Sequence, residues 1–232
     1  MKGLFQMKEL LRTYKQADVQ QISSYCIPIV VNGTVRGRLR PITGEVIHNS
    51  DEIRQLTEWR NSSSSWFTTQ FSASEEGTRR WLEHQVLGAD DRILFFVEDE
   101  EQAPVGQVGL LNYDEAAKSC EFDNLLRGRK GAFGNIMIYA LIALGEWSIH
   151  TLGIETACIH VLGDNYRAMR IYKGLGAVES ERIPLLKVEE AGAIRWIPAP
   201  LPLTEAPERE LVTMTITREA FWQIMSDAFH KR

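Results

Sequence analysis

The feature that most constrains the fold is a long apolar stretch, Ala132–Thr151, between two strand-like segments. Its apolar residues occur around nearly the whole helical circumference, which predicts a helix packed on most sides. The flanking segments, Lys118–Leu126 and Thr156–Leu162, have the pattern of buried strands. A strand, a helix and a strand within roughly 40 residues predict a right-handed crossover, so the strands ending at Leu126 and Leu162 should run parallel.

The residues before this crossover predict antiparallel pairing. Arg92–Glu98, Pro104–Asn112 and Lys118–Leu126 are separated by short polar turns, which is typical of a meander. Near the N-terminus, Asn32-Gly33 between two β-branched runs predicts a hairpin, because both residues tolerate positive φ. We therefore expect a mixed α/β fold with a central, mostly antiparallel sheet, one splayed parallel strand pair and flanking helices.

Length and charge limit the organisation and the class of function. The chain has 232 residues and a formal net charge of −5. We expect one core domain, 38–182, an N-terminal extension with a hairpin, 1–37, and a C-terminal strand and helix extension, 183–232. The acidic balance argues against a nucleic-acid partner, and no apolar run has the length of a membrane helix. Three cysteines without metal-ligand spacing and no export signal predict a cytoplasmic protein without a metal.

The loop before the apolar stretch concentrates glycine and positive charge. It reads Arg127-Gly-Arg-Lys-Gly-Ala-Phe-Gly134 in an otherwise acidic chain. Glycine lets backbone N–H groups approach a ligand closely, and the start of a helix favours an anion. The spacing fits neither a P-loop nor a dinucleotide fingerprint, and a solvent-exposed glycine turn remains the alternative. The pattern predicts a phosphate site.

A second group of residues follows the next strand. Asn165 and Tyr172 are about two helical turns apart, so their side chains should share one helix face. A carboxamide and a phenol there could line a cleft, although an isolated tyrosine is more often a packing residue.

Four segments together resemble the GNAT superfamily of acyl-CoA-dependent N-acyltransferases, over roughly Arg38 to Arg182. They are Leu39-Arg-Pro-Ile42, the strand Pro104–Leu110, the basic loop, and Asn165 with Ala168, Tyr172 and Gly176-Ala177. The loop matches the family pattern Q/R-x-x-G-x-G/A with Ala132 at the first glycine. The resemblance implies acetyl-CoA as co-substrate and a small-molecule amine as acceptor.

The resemblance also implies roles for individual residues. The CoA pyrophosphate would be held by the basic loop, through Arg127, Arg129, Lys130, Gly131, Ala132, Phe133 and Gly134. The backbone amide near Leu125 would polarise the thioester carbonyl, and Asn165 would bind the pantetheine arm. The Tyr172 hydroxyl would protonate the departing thiolate.

Acyl transfer needs a neutral amine, so a base should lie near the acceptor. Glu121 and Asp123 alternate onto one strand face and lead to the thioester end of the groove. We favour Glu121 over Asp123, with His160 as the next choice. A solvated or salt-bridged strand carboxylate is the alternative for either acid.

The acceptor itself is predicted from the region between the first two helices of the core. The resemblance implies this placement. Arg60, Asn61 and Trp66 fall there and would suit a sugar ring or a nucleotide diphosphate, and simple helix packing is an equal alternative. Glu121-Phe-Asp-Asn-Leu-Leu-Arg-Gly128 resembles bacterial GNAT enzymes that acetylate nucleotide-linked amino sugars of surface glycans. A protein N-terminus, a polyamine, an antibiotic amine and a non-catalytic acyl-CoA-binding role remain alternatives, and a homodimer stays open.

Overall fold

The computed structural model describes residues 6–129, 133–200, 202–203 and 206–230. These residues form two compact units. The first comprises the described residues of Met1–Arg60 and Ala73–Glu155, and the second comprises those of Asn61–Ser72 and Thr156–Arg232. The short segment Asn61–Ser72 is thus grouped with the C-terminal part of the chain and not with its sequence neighbours.

Seven α-helices and ten strands occur among the described residues. The helices are α1 (Gln6–Gln16), α2 (Glu45–His48), α3 (Ser50–Ser62), α4 (Glu75–Trp81), α5 (Ile136–Leu152), α6 (Tyr166–Gly174) and α7 (Arg218–His230). The strands are β1 (Ile27–Val31), β2 (Thr34–Pro41), β3 (Thr69–Gln70), β4 (Ile93–Asp99), β5 (Pro104–Asp114), β6 (Ser119–Arg127), β7 (Thr156–Leu162), β8 (Val178–Glu190), β9 (Ala193–Pro198) and β10 (Arg209–Thr217). A π-helical segment, Leu82–Leu87, continues α4.

The sheet of the first unit has the order β1-β2-β4-β5-β6, and each neighbouring pair is antiparallel. The predicted hairpin and meander are therefore confirmed. Asn32 and Gly33 form the hairpin turn with φ values of 51° and 75°, as the Asn-Gly signal requires.

Helix α5 packs on this sheet through aromatic contacts. The Trp147 ring lies 5.6 Å from Phe95 and 5.4 Å from Tyr14, between ring centroids. Trp147 Nε1 also donates a 3.0 Å hydrogen bond to the Tyr14 hydroxyl. Leu11 on the same N-terminal helix is completely buried. Helix α1 therefore packs against the rest of the first unit.

A second apolar cluster of the first unit joins α3 and the π-helical segment to β4. Ile53, Leu56 and Trp59 from α3 pack with Leu82 and Phe96. The Trp59 and Phe96 rings meet edge to face, with centroids 6.1 Å apart. Burying such large side chains stabilises a fold by about 1.5–3 kcal/mol each, so this cluster fixes α3 firmly.

The sheet of the second unit has the order β7-β10-β8-β9-β3, and its neighbouring pairs are also antiparallel. The C-terminal strand β10 lies between β7 and β8, where Met214 pairs with Ile159 on one side and Glu179 on the other. Every residue of the β10 pattern Val212, Met214 and Ile216 is buried, which explains the predicted alternation.

The expected fold class, a mixed α/β chain with a mostly antiparallel sheet, is confirmed. Two strands were not anticipated. β9 ends at Pro198, where the proline-rich segment Pro198–Pro207 predicts the start of a link, and β3 has only two residues next to a serine-rich loop. The division of the chain at 37/38 and 182/183 stays a prediction.

Candidate active site

Strand β6 carries an irregularity at the position predicted to face a thioester. Gln107 pairs with Leu126 and Gly109 pairs with Asp123, so Asn124 and Leu125 together oppose one residue of β5. Asn124 has a φ of 54°, and its Oδ1 accepts a 3.2 Å hydrogen bond from Gln107 Nε2. A bulge of this kind interrupts the ladder and re-aims the backbone amides. The Leu125 amide is thus part of a bulge and not of regular strand.

The two candidate bases on β6 have different partners. Asp123 Oδ2 lies 2.5 Å from Arg92 Nη2 and also accepts a hydrogen bond from Asn124 Nδ2. Glu121 Oε2 accepts a 3.1 Å hydrogen bond from the Asn112 side chain in a more exposed setting. Both acids are partly buried. A proton arriving at Asp123 would compete with a guanidinium, which favours Glu121 as the base.

The chain leaves β6 through Gly128, which lies flat against an aromatic ring. Backbone N–H groups of Gly128 and Arg129 both donate to the Val105 carbonyl, at 2.9 and 3.0 Å. A Cβ atom at Gly128 would overlap the indole of Trp59. Glycine is therefore needed here for a close approach, and the Trp59 side chain determines where the basic loop begins.

The basic side chains of this loop differ in their freedom. Arg129 Nε donates to the Pro104 carbonyl at 2.9 Å, and its Nη2 lies 3.2 Å from Asp99 Oδ2. Arg127 is exposed, and its Nε donates a long 3.4 Å hydrogen bond to the Arg129 carbonyl. Arg129 thus ties the loop to the start of β5, which leaves Arg127 better placed for an anion. The predicted Lys130, Gly131 and Ala132 lie outside the described residues.

Helix α5 begins later than predicted, at Ile136. Its N-cap residue Asn135 makes no side-chain hydrogen bond to the helix start. Gly134 is exposed, and a Cβ atom there would meet nothing within 4 Å. The Phe133 ring packs on Tyr139 at a centroid distance of 5.6 Å. Two amides of the first turn have backbone partners, since Ile136 N donates to the Phe133 carbonyl at 3.3 Å and Ile138 N to the Asn135 carbonyl at 2.9 Å. The exposed Gly134 is thus the approach to the helix start, where the positive end of the helix dipole favours an anion.

The second unit positions Asn165 and Tyr172 on one helix. Asn165 is the N-cap of α6, because its Oδ1 accepts a 3.2 Å hydrogen bond from the Ala168 amide. This bond leaves its Nδ2 group as the donor that a ligand could use. Tyr172 lies two turns further along and is 8% exposed. The common face expected for the two side chains stays a prediction, since Asn165 caps α6 from outside the helix with a non-helical backbone.

The predicted acceptor residues fall on both sides of the division between the units. Arg60 belongs to the first unit, where burial lowers the pKa of its guanidinium. Asn61 and Trp66 belong to the second, and the Trp66 ring is 48% exposed. A half-exposed indole on a loop suits contact with a ligand.

One residue near this loop was missed by sequence reasoning. Arg209, the first residue of β10, donates to the Ser65 carbonyl at 2.9 Å and forms a 2.9 Å ion pair with Asp164. Its partners lie far away in sequence, and a lone arginine at a strand start carries no signal that could have identified it. The same is true of the contact between Trp59 and Gly128.

Comparison with known families decides the class of protein. A model of the GNAT acetyltransferase domain matches residues 37–178. The chain belongs to the GNAT acetyltransferase family. The predicted activity class, an acyl-CoA-dependent N-acetyltransferase, is thereby confirmed. The match covers the bulge, the basic loop, Asn165 and Tyr172, but neither β9 nor Arg209.

Solved structures show the GNAT fold at low sequence identity. The spermidine N-acetyltransferase from Vibrio cholerae, in complex with CoA and spermine, is 17% identical, with a TM-score of 0.59 over 81% of this chain and 98% of that one. FdhC, described as a nucleotide-linked sugar GNAT, is 13% identical, with a TM-score of 0.56 over 81% and 90%. A search of curated proteins found no match. At this identity the structures establish the fold and leave the acceptor open.

One finding concerns the expectation that the chain has no membrane helix. No helix within the described ranges combines the length and hydrophobicity needed to cross a bilayer. The cytoplasmic location and the homodimer stay predictions.

Proposed function

We propose that this GNAT enzyme transfers the acetyl group of acetyl-CoA to a primary amine of a small molecule, and that the amine belongs to a nucleotide-linked amino sugar. The assignment of a CoA site rests on three features that follow one another along the chain from β6 to α5. A bulge at Leu125 leads into the glycine turn at Gly128 and then, after the exposed Gly134, to the start of α5. The bulge offers re-aimed amides for a carbonyl, and the positive end of the α5 dipole next to the basic loop suits a phosphate.

The residues divide the binding of acetyl-CoA among them. The loop amides from Gly131 to Gly134 hold the pyrophosphate, and Arg127 adds a positive charge that is exposed and lightly bonded. Asn165 Nδ2 donates to the pantetheine arm, because its Oδ1 is already engaged by the Ala168 amide. The Leu125 amide donates to the thioester oxygen, where negative charge develops during attack.

The chemistry requires the amine nitrogen to lose two protons and the thiolate to gain one. Glu121 accepts the first proton from the incoming ammonium, which frees the nitrogen lone pair to attack the thioester carbon. The carbon–nitrogen bond forms and the carbon–sulfur bond breaks. The Tyr172 hydroxyl gives its proton to the departing thiolate, and the second proton, released by the positively charged nitrogen of the new amide, restores that hydroxyl. Asp123 holds the strand through Arg92 in this scheme, because its Oδ2 is engaged by Arg92 and Asn124.

The acceptor assignment rests on the loop that carries Asn61 and Trp66. Its half-exposed indole would stack on a base or sugar ring, and the hydrogen-bonding capacity of Asn61 suits hydroxyl groups. A polyamine would instead need carboxylates along an extended chain. The fold shared with a spermidine acetyltransferase makes spermidine the alternative acceptor to test first.

A thiol-release assay tests the function. Wild-type protein is mixed with acetyl-CoA and, separately, with nucleotide-linked amino sugars, spermidine and a peptide with a free N-terminus. We expect CoA thiol release with the amino sugars above the hydrolysis rate without amine. Turnover with spermidine or the peptide alone would replace the proposed acceptor. If no amine gave turnover while acetyl-CoA still raised the Tm, the protein would be a binding module.

A further inference from the structure

The acceptor loop, defined as Asn61–Ser72, is built into the second unit by residues from beyond the family match. It comprises the last two residues of α3 and most of the connection to α4, yet it is compact with the C-terminal part of the chain. Within the loop, Gln70 Nε2 donates to the carbonyls of Ser65 and Phe67, at 3.2 and 3.3 Å. These internal bonds shape the loop, but its position is determined by contacts with β9 and β10.

The first external contact is a strand pairing. Thr69 pairs with Arg195 and Gln70 pairs with Ile194, which makes β3 the edge partner of β9. The Trp196 amide adds a 2.7 Å hydrogen bond to the Thr68 carbonyl. Strand β9 therefore pairs with β3 of the acceptor loop on one side and with β8 on the other.

The second external contact is Arg209. Its Nη1 donates to the Ser65 carbonyl at 2.9 Å, and its Nη2 lies 2.9 Å from Asp164 Oδ2. The guanidinium also lies over the Trp196 ring, 5.0 Å from its centroid. The Arg209 side chain is only 18% exposed. The Arg209 guanidinium thus joins the acceptor loop to the turn before α6, and stacking on Trp196 holds it in place.

The turn that Arg209 reaches is directly next to Asn165. Asp164 precedes this N-cap residue, and the Gly163 amide donates to the Glu210 carbonyl at 2.8 Å. The start of β10 therefore anchors the β7–α6 turn by its backbone and by the Arg209 side chain. A substitution of Arg209 would therefore move the acceptor loop, which carries Trp66, relative to Asn165 and to Tyr172 of α6.

We propose that Arg209 is a positioning residue for the acceptor, and that β9 and the start of β10 determine acceptor specificity by clamping the acceptor loop. The proposal rests on the proposed function, because it takes the loop as part of the acceptor site. Arg209 makes its contacts through Ser65 and Asp164 and need not touch the acceptor. The family match ends at residue 178, so β9 and Arg209 lie beyond the matched residues.

Two substitutions test the clamp. Arg209→Met removes the charge and both hydrogen bonds while keeping an apolar side chain on Trp196. Arg209→Lys keeps the charge but cannot span both partners. Arg182→Met is the matched control, because Arg182 bridges Glu179 and Glu210 in the same unit without reaching the loop.

The readouts separate positioning from general stability. In Arg209→Met, we expect the amides of 62–71 to exchange hydrogen at least tenfold faster, and KM for the amine that wild type acetylates to rise about five- to twentyfold. CoA affinity by calorimetry and kcat should stay within about twofold of wild type. Arg209→Lys should lie between, and Arg182→Met should leave loop exchange and KM unchanged.

The opposite results are equally defined. Unchanged loop exchange and acceptor KM in Arg209→Met, or equal changes in Arg182→Met, would overturn the clamp. If Arg209→Met does not fold, Arg209→Lys decides by the same readouts. Absence of turnover with every amine in wild type would refute the proposed function, whereas hydrogen exchange would still show whether Arg209 holds the loop.

Discussion

The start of the basic loop and the acceptor loop are held in place by different physics. At Gly128 the backbone lies against the Trp59 ring so closely that a single methyl group would not fit. At the acceptor loop the contacts are polar: a two-residue strand pairing, a 2.7 Å backbone hydrogen bond and one arginine with two partners. Steric contact at Gly128 tolerates no added atom, whereas the polar contacts can be exchanged one at a time.

In the proposed function the two regions recognise different ligands, CoA and the acceptor, and this corresponds to the difference in their contacts. A CoA site serves the same co-substrate throughout the family, so a tightly packed start for its loop carries no disadvantage. An acceptor site differs between enzymes of one fold, and loops held at a sheet edge are where such differences accumulate. Substitutions in the first region should therefore change CoA affinity. Those in the second should change acceptor KM, and those at the reacting atoms should change kcat alone.

The largest effect should come from a group at the reacting atoms. Tyr172→Phe removes the hydroxyl proposed to protonate the thiolate, and general acid catalysis is typically worth about 10²–10⁴ in rate. We expect kcat to fall about a hundredfold, with CoA affinity and acceptor KM near wild type. Steady-state kinetics with calorimetric CoA binding checks this.

The matched control is on the same helix. Tyr166→Phe removes the hydroxyl of a residue that is 76% exposed at the first position of α6. Its kinetics should equal those of wild type. A Tyr172→Phe enzyme with full kcat would remove the phenol from the mechanism. It would also remove the main evidence that substitutions at the reacting atoms change kcat alone.

The steric contact gives the next largest effect. Gly128→Ala forces the loop away from Trp59 or displaces the indole, and overpacking of this kind costs about 1–3 kcal/mol. We expect CoA Kd to rise about tenfold and the Tm to fall. Acceptor KM at saturating acetyl-CoA should not change.

Gly134→Ala provides the comparison, because a Cβ atom there meets nothing within 4 Å. It should keep the Tm of wild type. Trp59→Leu combined with Gly128→Ala should recover part of the lost affinity by making room for the methyl group. A Gly128→Ala protein with normal CoA affinity would show that the loop start does not depend on the ring.

Local sequence signals predicted the framework well. Asn32-Gly33 identified a hairpin, and the short polar turns between Arg92 and Leu126 identified a meander. In each case the signal lies within a few residues, where turn geometry acts directly. The anion site at the start of α5 stays a prediction.

Long-range contacts could not be predicted in the same way. Arg209 and Ser65 are 144 positions apart, and nothing in either neighbourhood indicates the other. Strand β9 was not predicted, because its pairing with β3 is a property of the sheet and not of its own residues. The acceptor loop is therefore where sequence reasoning reached least far, and where the structure adds most.

The smallest expected effect separates the two carboxylates of β6. Glu121→Gln should lower kcat/KM for the amine about tenfold near neutral pH, less than Tyr172→Phe because Glu121 is partly exposed and solvent can take the proton instead. The defect should shrink as the pH rises toward about 10, where a primary amine is increasingly neutral without a base.

Asp123→Asn is the informative partner of that variant. It breaks the partly buried contact with Arg92, so it should cost about 1–2 kcal/mol of stability while its kcat/KM keeps the pH dependence of wild type. Rate profiles and thermal melts of the two variants check both expectations. The reverse pattern, a pH-dependent rate defect in Asp123→Asn and none in Glu121→Gln, would transfer the base to Asp123. The Arg92 contact would then belong to catalysis, and polar contacts would hold reacting groups as well as the acceptor loop.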